Sequence, residues 1–329
     1  MPKIVRFHET GGADVLKVED LPLAEPGEGE VRLKVEAIGL NRAEVMFREG
    51  QYLEDPVFPS RLGYEAAGIV DAVGSGTDGI QVGDRVSTIP GFSIGKYGVY
   101  GESAIVPGYA VARYPDNLKA IEGTAIWMQY LTAFGALIEI GQMKKEDTVL
   151  ITAASSSVGL AAIQITKAAG ALAIAATRGA VKKPFLLDAG ADHVIVTDEE
   201  DLVERVMALT SGKGASTIFD PVAGPLLEKL TEAAAPGATI FEYGALSPEP
   251  TPYPLFPMLG KGLTLRGYTL FEIVRDPEKL ARGKSYIYDG LQSGALKPII
   301  DRTFPLEEIV KAHRYMESNQ QKGKIVVTI

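Results

Sequence analysis

The chain of 329 residues contains no cysteine. It can therefore form no disulfide, no thiolate nucleophile and no zinc site built on thiolates. Only three histidines are present, and His8, His193 and His313 lie at spacings that match no metal-binding pattern. We therefore expect no bound metal.

An excess of positive charge and long apolar runs are also absent. There are 33 Lys and Arg against 42 Asp and Glu, which gives a formal net charge of −9 and argues against nucleic acid or an anionic membrane as a partner. No run reaches the ~18 apolar residues of a membrane span. The opening "MPKIVRFHETGG" lacks the apolar core of a signal peptide. We expect a cytoplasmic protein of about two domains.

The first part of the chain has the pattern of β-structure. "EVRLKVEAI" (30–38) alternates apolar and polar residues, and Gly-Pro turns are frequent up to residue 120. Near the C-terminus, "PIIDRTFPL" and "GKIVVTI" predict two further strands. A terminal strand needs a partner, so we expect one barrel-like domain made of residues 1–123 plus 268–329.

The middle of the chain, residues 124–267, has a different period. It predicts strands at 148–153, 172–177, 193–197, 216–220, 238–243 and 263–268. Helices are predicted between the first five strands at 157–169, 180–189, 199–210 and 224–235. This alternation is typical of βαβ units, and we expect a doubly wound, six-stranded parallel sheet that binds a dinucleotide.

The turn "AASSSVG" after the first of these strands is the candidate phosphate loop. Ala154, Ser156 and Gly159 have the spacing of G-x-G-x-x-G, and Ser155, Ser157 and Val158 complete the loop. Small residues let the backbone approach a pyrophosphate at the helix N-terminus. The alternative is a plain strand-to-helix connection whose serines cap the helix. The flanking apolar strand and amphipathic helix favour the dinucleotide loop.

The end of the next strand bears on which nicotinamide is bound. An Asp or Glu there would bind the adenosine ribose of NAD. This chain has Thr177 and Arg178, followed by Lys182 and Lys183. A small hydroxyl and nearby cations suit the 2′-phosphate of NADP. The alternative is that these cations are ordinary solvated surface; we expect NADPH rather than NADH.

Several segments together resemble a known family. They include "GLNRAEVMFREGQY" (39–52), "GYEAAGIVDAVGSG" (63–76), "WMQYLTAFGAL" (127–137) and the closing "KGKIVVTI". Their order and spacing are similar to the medium-chain dehydrogenase/reductase superfamily, in particular its zinc-independent quinone oxidoreductase branch. The resemblance implies a GroES-like catalytic domain, built from both chain ends, around a Rossmann domain.

The resemblance also implies residues beside the nicotinamide. Asn41 and Tyr52 match the branch's N-x10-Y pattern, and Tyr64 stands where zinc enzymes of the family have a metal-binding His. We expect these three residues to be catalytic hydrogen-bond donors, although each Tyr could instead be a core or rim aromatic. Glu65 is expected to be structural and paired with an Arg. The role of Glu44 stays open.

Further cofactor contacts are expected elsewhere in the chain. They are Thr132, Phe241, Tyr243, Gly244, Asn319 and Lys324. Thr132 resembles a Thr that approaches the nicotinamide face, although a helix-interior Thr can also bond to its own backbone. Carboxyl ends of parallel strands are where ligands bind in such sheets, which favours Tyr243 and Gly244.

The expected activity follows from the missing zinc ligands. Where zinc enzymes of the family have Cys, His and Cys, this chain has Asn41, Tyr64 and a residue near Met128. We therefore expect hydride transfer from NADPH to a quinone or an α,β-unsaturated carbonyl (an enone or enal), without zinc. The alternatives are a 2-enoyl thioester reductase and a non-enzymatic NADPH-binding sensor or structural protein. A homodimer is expected through strand 263–268, which would cover an open sheet edge.

Overall fold

A computed structural model describes all residues, 1–329. The strands are β1 (Lys3–Arg6), β2 (Lys17–Asp20), β3 (Glu30–Gly39), β4 (Glu65–Val73), β5 (Arg85–Thr88), β6 (Ser103–Pro107), β7 (Val111–Arg113), β8 (Thr148–Ile151), β9 (Leu172–Thr177), β10 (His193–Val196), β11 (Ala215–Asp220), β12 (Ala234–Glu242), β13 (Thr264–Gly267), β14 (Ile300–Pro305) and β15 (Lys324–Thr328).

The α-helices are α1 (Arg42–Arg48), α2 (Ile94–Tyr97), α3 (Ala120–Gly123), α4 (Trp127–Phe134), α5 (Ser157–Ala168), α6 (Lys183–Asp188), α7 (Leu202–Leu209), α8 (Leu226–Ala233), α9 (Leu255–Lys261), α10 (Phe271–Val274), α11 (Pro277–Ser293) and α12 (Ile309–Glu317). A π-helical stretch, Gly135–Ile140, continues α4. None of the helices is both long and apolar enough to span a membrane.

The chain folds into two compact units. The first unit is Met1–Met128 with Pro298–Ile329, and the second is Gln129–Lys297. The first unit is thus built from both chain ends, as expected. The expected return to it at residue 268 is wrong, because residues 268–297 belong to the second unit.

Packing around two glycines explains why that segment stays with the second unit. A Cβ at Gly135 would lie 2.0 Å from the Tyr268 hydroxyl and 2.5 Å from the Ile273 side chain. A Cβ at Gly283, on α11, would lie 2.6 Å from Leu131. The chain after β13 therefore packs tightly against α4 and its π-helical continuation. Apolar periodicity predicts that a helix is buried, but not against which partner.

The first unit is organised around β3. Its main sheet has the order β14-β15-β3-β4-β5-β7, and β6 also pairs with β3. The terminal strand β15 pairs antiparallel with β3, with Val326 opposite Gly39. The prediction that the last strand joins the N-terminal β domain is confirmed. The strands β1 and β2 form a separate two-stranded sheet.

The second unit contains the predicted six-stranded parallel sheet. Its order is β10-β9-β8-β11-β12-β13, so the direction of strand addition changes between β8 and β11. Leu150, Ile174, Ile218 and Ile240 form part of its buried core. In open sheets of this kind, ligands bind at the carboxyl ends of the strands beside the switch point. The sheet therefore places the β8–α5 loop at that position.

Some element bounds differ from the sequence expectation. The apolar segment around residues 123–141 forms α4, which begins at Trp127, and its π-helical continuation to Ile140. The strand β12 begins at Ala234, four residues before its expected start, and pairs with β11 through an irregular register. These differences leave the order of the elements unchanged.

Candidate functional site

The loop between β8 and α5 turns sharply from the strand into the helix. Ala153 adopts a left-handed φ of 43°, which lets the chain turn sharply before the helix. Ser156 is the N-cap of α5, and its hydroxyl accepts a hydrogen bond from the Gly159 amide at 3.0 Å. The amides of Ser157 and Val158 lie in the first turn, where no intrahelical acceptor exists. Capping and anion binding are thus compatible in this loop.

Gly159 is required by a close approach of α5 to the loop. A Cβ at this position would lie 2.6 Å from the Ala154 carbonyl oxygen and 2.7 Å from the Ala154 Cα. Backbone atoms cannot move away as a flexible side chain could. Gly159 therefore keeps the loop folded against the helix N-terminus, which is the geometry that binds a phosphate. The residues present fit a dinucleotide pyrophosphate.

Cationic side chains flank this loop. The Lys182 ammonium donates to the Ser155 hydroxyl at 2.9 Å, so it lies against the loop itself. Arg178 follows β9 and is exposed. Thr177 is buried, and its carbonyl accepts from the Thr197 amide at 2.8 Å. The arrangement places one cation on the loop and a second on the adjacent surface.

Two aromatic side chains, Phe241 and Tyr243, lie at the end of β12 and directly after it. Tyr243 stacks on Phe219 with ring centroids 4.0 Å apart, and Gly244 is exposed. Phe241 is fully buried and packs edge-on against Tyr268. The Phe241 side chain thus belongs to the core of the second unit, and the cofactor contact expected of this residue stays a prediction.

Glu44 organises the candidate residues of the first unit. Its carboxyl accepts from the Asn41 backbone amide at 2.5 Å, the Asn41 side-chain amide at 3.1 Å and the Tyr64 backbone amide at 3.0 Å. The Tyr100 hydroxyl adds a fourth hydrogen bond at 2.6 Å. Burial raises the pKa of Glu44, while these donors oppose the rise. The Asn-x-x-Glu spacing of a capping box was the sequence signal for this role.

A buried lysine ties the same group to the terminal strand. The Lys324 ammonium donates to the Asn41 side-chain oxygen at 2.7 Å and to the Glu65 carboxylate. Glu65 also accepts from the Met128 amide at 2.9 Å. The expectation that Glu65 pairs with an arginine is therefore wrong, since the partner is Lys324. Both of these hydrogen-bond partners of the Lys324 ammonium lie within the first unit.

Asn41 is fully engaged by its neighbours. Its side-chain oxygen accepts from Lys324, and its amide nitrogen donates to the Gly39 carbonyl at 3.2 Å and to Glu44. In this arrangement Asn41 offers no amide hydrogen beyond those contacts. The two tyrosines form a separate hydroxyl pair, in which Tyr64 donates to Tyr52 at 3.4 Å. Burial raises the pKa of Tyr64, so its hydroxyl keeps its proton.

Two other expected contacts have structural explanations. Asn319 follows α12 with a left-handed φ of 57° and donates its backbone amide to the Met316 carbonyl. Asn is one of the few residues that tolerate this conformation at a helix C-terminus. Thr132 is buried within α4. Neither position tests the expected cofactor contact, which stays a prediction.

The histidines do not assemble a metal site. His313 is buried between the Arg48 guanidinium at 3.1 Å and the Tyr100 hydroxyl at 3.3 Å, and burial lowers its pKa to about 3. His8 pairs with Glu19 at 2.6 Å. No group of three or more His, Cys, Asp or Glu side chains has an arrangement that could hold a metal ion.

Comparisons with known proteins agree with this architecture. The model of the alcohol dehydrogenase GroES-like domain matches residues 27–116, and that of the zinc-binding dehydrogenases matches residues 157–282. The quinone oxidoreductase of Homo sapiens is 30% identical over 335 residues, which cover 99% of this chain and 98% of that protein. The quinone oxidoreductase of Pseudomonas aeruginosa is 31% identical over 328 residues, covering 99% of each.

A solved structure shows the same fold. The Escherichia coli quinone oxidoreductase complexed with NADPH superimposes with a TM-score of 0.93 at 30% identity, covering 99% of this chain and 100% of that one. The similarity thus extends over both units. The chain belongs to the medium-chain dehydrogenase/reductase superfamily, within its quinone oxidoreductase-like branch.

Proposed function

We propose that this protein transfers a hydride from NADPH to a quinone or an α,β-unsaturated carbonyl, and that it does so without zinc. Its family makes it an NADPH-dependent oxidoreductase. The single observation that supports the cofactor most directly is the loop in which Gly159 allows α5 to approach Ala154. When bound, NADPH supplies the hydride.

The second unit would hold the dinucleotide. The amides of Ser157 and Val158 would bind the pyrophosphate at the start of α5, where the helix dipole favours negative charge. Lys182 and Arg178 would favour the extra phosphate of NADPH over the bare ribose of NADH. Thr177, Tyr243, Gly244, Thr132 and Asn319 remain proposed cofactor contacts.

The first unit would supply the hydrogen bonds to the acceptor. Hydride addition to an electron-poor carbon moves negative charge to the acceptor oxygen, and a hydrogen bond aimed at that oxygen stabilises it. Tyr64 donates to the Tyr52 oxygen, which polarises the Tyr52 hydroxyl and makes it a better donor. We assign Tyr52 to this role and Tyr64 to its support, and Asn41 to positioning because its amide is already engaged.

The donor set supports the proposed zinc independence. Asn41 and Glu65 bind the Lys324 ammonium, and a cation held there competes with any metal for the same oxygen atoms. With Tyr64 and Met128 nearby in place of thiolate or imidazole donors, first-row metals have poor ligands here. The acceptors proposed above need less activation than an alcohol or an aldehyde.

The test is steady-state NADPH oxidation by chelator-treated protein against a panel of quinones, alkenals and enoyl thioesters. We expect turnover with quinones or alkenals, unchanged by the chelator. Turnover restricted to enoyl thioesters would select the thioester reductase instead. NADPH binding without turnover across the panel would favour a sensor or structural role, and loss of turnover on chelation would contradict zinc independence.

We also propose a homodimer through β13. This strand is an edge of the parallel sheet, and an open edge invites pairing with a second copy. The segment just before it exposes Tyr253, Leu255, Phe256 and Leu259. Light scattering at micromolar concentration should give a dimer that Phe256→Lys weakens. Val181→Lys is the matched control, because Val181 is 79% exposed and Phe256 82%; a monomeric wild type would contradict the proposal.

A further inference from the structure

Two neighbouring strands of the second unit end on nearly the same sequence. The strand β11 ends on "TIFD" (217–220), and β12 ends on "TIFE" (239–242). The parallel register pairs these segments residue by residue, so Asp220 lies opposite Glu242. Two acidic side chains thus stand next to each other at the carboxyl ends of the strands, beside the switch point of the sheet.

The hydrogen bonds of the two acids are very unequal. Asp220 accepts from the Thr152 hydroxyl, from the Val222 amide at 3.1 Å and from the Ala223 amide at 2.6 Å. Both carboxyl oxygens of Glu242 are buried and receive no hydrogen bond. A buried carboxylate without a donor is strongly unfavourable. The arrangement is favourable only if Glu242 carries a proton, for which the neighbouring Asp220 is an acceptor.

The electrostatics agree with this assignment. Burial, and then the charge of Asp220, raise the pKa of Glu242 to about 9. Burial also raises the pKa of Asp220, while its three donors oppose the rise. Tyr243 directly follows Glu242 in the chain. Burial, and then the charges of both acids, raise the pKa of its hydroxyl. Thr152 does not ionise, and no Lys, Arg or His offsets the charge at Glu242 or Tyr243.

The acid pair is connected to the dinucleotide loop on both sides. Thr152, which Asp220 binds, directly precedes the left-handed Ala153 at the start of the loop. On the other side, Tyr243 follows Glu242, and its buried hydroxyl lies against the Ser156 side chain of the loop. The acid pair is therefore linked through neighbouring side chains to both sides of the loop.

We propose that Asp220 and Glu242 share one proton and act as a positioning pair for the dinucleotide. The shared proton holds the ends of β8, β11 and β12 together beside the loop, and it keeps a second negative charge away from the phosphates. This inference rests on the proposed NADPH binding. Loss of the proton would place two carboxylates side by side next to an anionic ligand. Repulsion between the two carboxylates, and between them and the phosphates, therefore opposes that loss.

The experiment combines infrared spectroscopy of the ligand-free protein with NADPH titrations between about pH 7 and pH 10. We expect a carboxylic-acid C=O band in the wild type at neutral pH, its loss near pH 9, and its absence in Glu242→Gln. Above that pH the wild-type Kd for NADPH should rise by up to about tenfold per pH unit. Glu242→Gln, which mimics the neutral acid, should bind as the wild type does at neutral pH and lose this dependence.

Glu249→Gln is the matched control. Glu249 is an exposed acid seven residues further along the chain, and its substitution should leave the wild-type profile unchanged. If Glu242→Gln does not fold, Asp220→Asn replaces it, because removal of the neighbouring charge should lower the pKa of Glu242 and move the pH dependence to a lower pH than in the wild type.

Each outcome bears on a separate part of the inference. A wild type without the C=O band at neutral pH would overturn the shared proton. A band together with identical Kd profiles in the wild type and Glu242→Gln would overturn the positioning role. Failure to bind NADPH at any pH would instead refute the proposed function, and the infrared band would still report the state of the pair.

Discussion

Replacement of the buried Lys324 by methionine tests how the first unit holds its candidate residues. The side chains of Lys324 and Glu65 are 0% and 1% exposed, so the substitution leaves a carboxylate without its counter-charge. Breaking such a pair costs about 3–5 kcal/mol, a large part of the ~5–15 kcal/mol that stabilises a typical domain. We expect the melting temperature to fall by about 6–20 °C, from roughly 2–4 °C per kcal/mol.

Calorimetry and urea unfolding of two further variants would separate the causes. Lys311→Met makes the same side-chain change at an exposed pair with Glu308, and it should cost less than about 0.5 kcal/mol. The double variant Glu65→Leu/Lys324→Met should recover most of the loss, because apolar side chains can replace a buried ion pair. A Lys324→Met protein within about 1 kcal/mol of the wild type would refute the reasoning.

Three further predictions concern the cofactor and the acceptor. Gly159→Val should abolish NADPH binding, measured by calorimetric titration, because its side chain would meet the Ala154 backbone, whereas Ser156→Gly should cost only a few tenths of a kcal/mol in the helix cap. Arg178→Ala should reduce the NADPH-over-NADH preference in kcat/KM by about tenfold, the value of one charge-assisted hydrogen bond; equal use of both nicotinamides by the wild type would contradict it. Tyr52→Phe should lower kcat by about 10–100-fold with little change in the Kd for NADPH, through loss of one hydrogen bond to the acceptor oxygen, and an unchanged kcat would remove Tyr52 from the mechanism.

The order of the elements could be predicted because it depends on local periodicity. The six strands of the parallel sheet coincide with apolar runs that have helical segments between them. The predicted bounds of each strand lie within a few residues of the observed bounds. The unit to which a helix belongs cannot be predicted from local sequence. The segment after β13 packs in the second unit because Gly135 and Gly283 leave room for close packing. A glycine in a helical pattern does not indicate which segment will pack against it.

The candidate site shows the same division. The loop around Gly159 could be recognised from spacing, since the chemistry lies in consecutive residues. The contact between Glu65 and Lys324 joins positions 259 residues apart, and only the pairing of β15 with β3 brings them together. The repeated "TIF" segment could have indicated that Asp220 and Glu242 lie side by side on neighbouring strands. Their shared proton could not be predicted, because it depends on how deeply the two carboxyl groups are buried.

An equilibrium titration of the purified chain with NADPH and with NADH tests the proposed cofactor binding most directly. We expect saturable NADPH binding well below millimolar concentration, weaker binding of NADH, and no NADPH binding by Gly159→Val. Failure of both nicotinamides to bind the wild type below millimolar concentration would contradict the proposed cofactor binding.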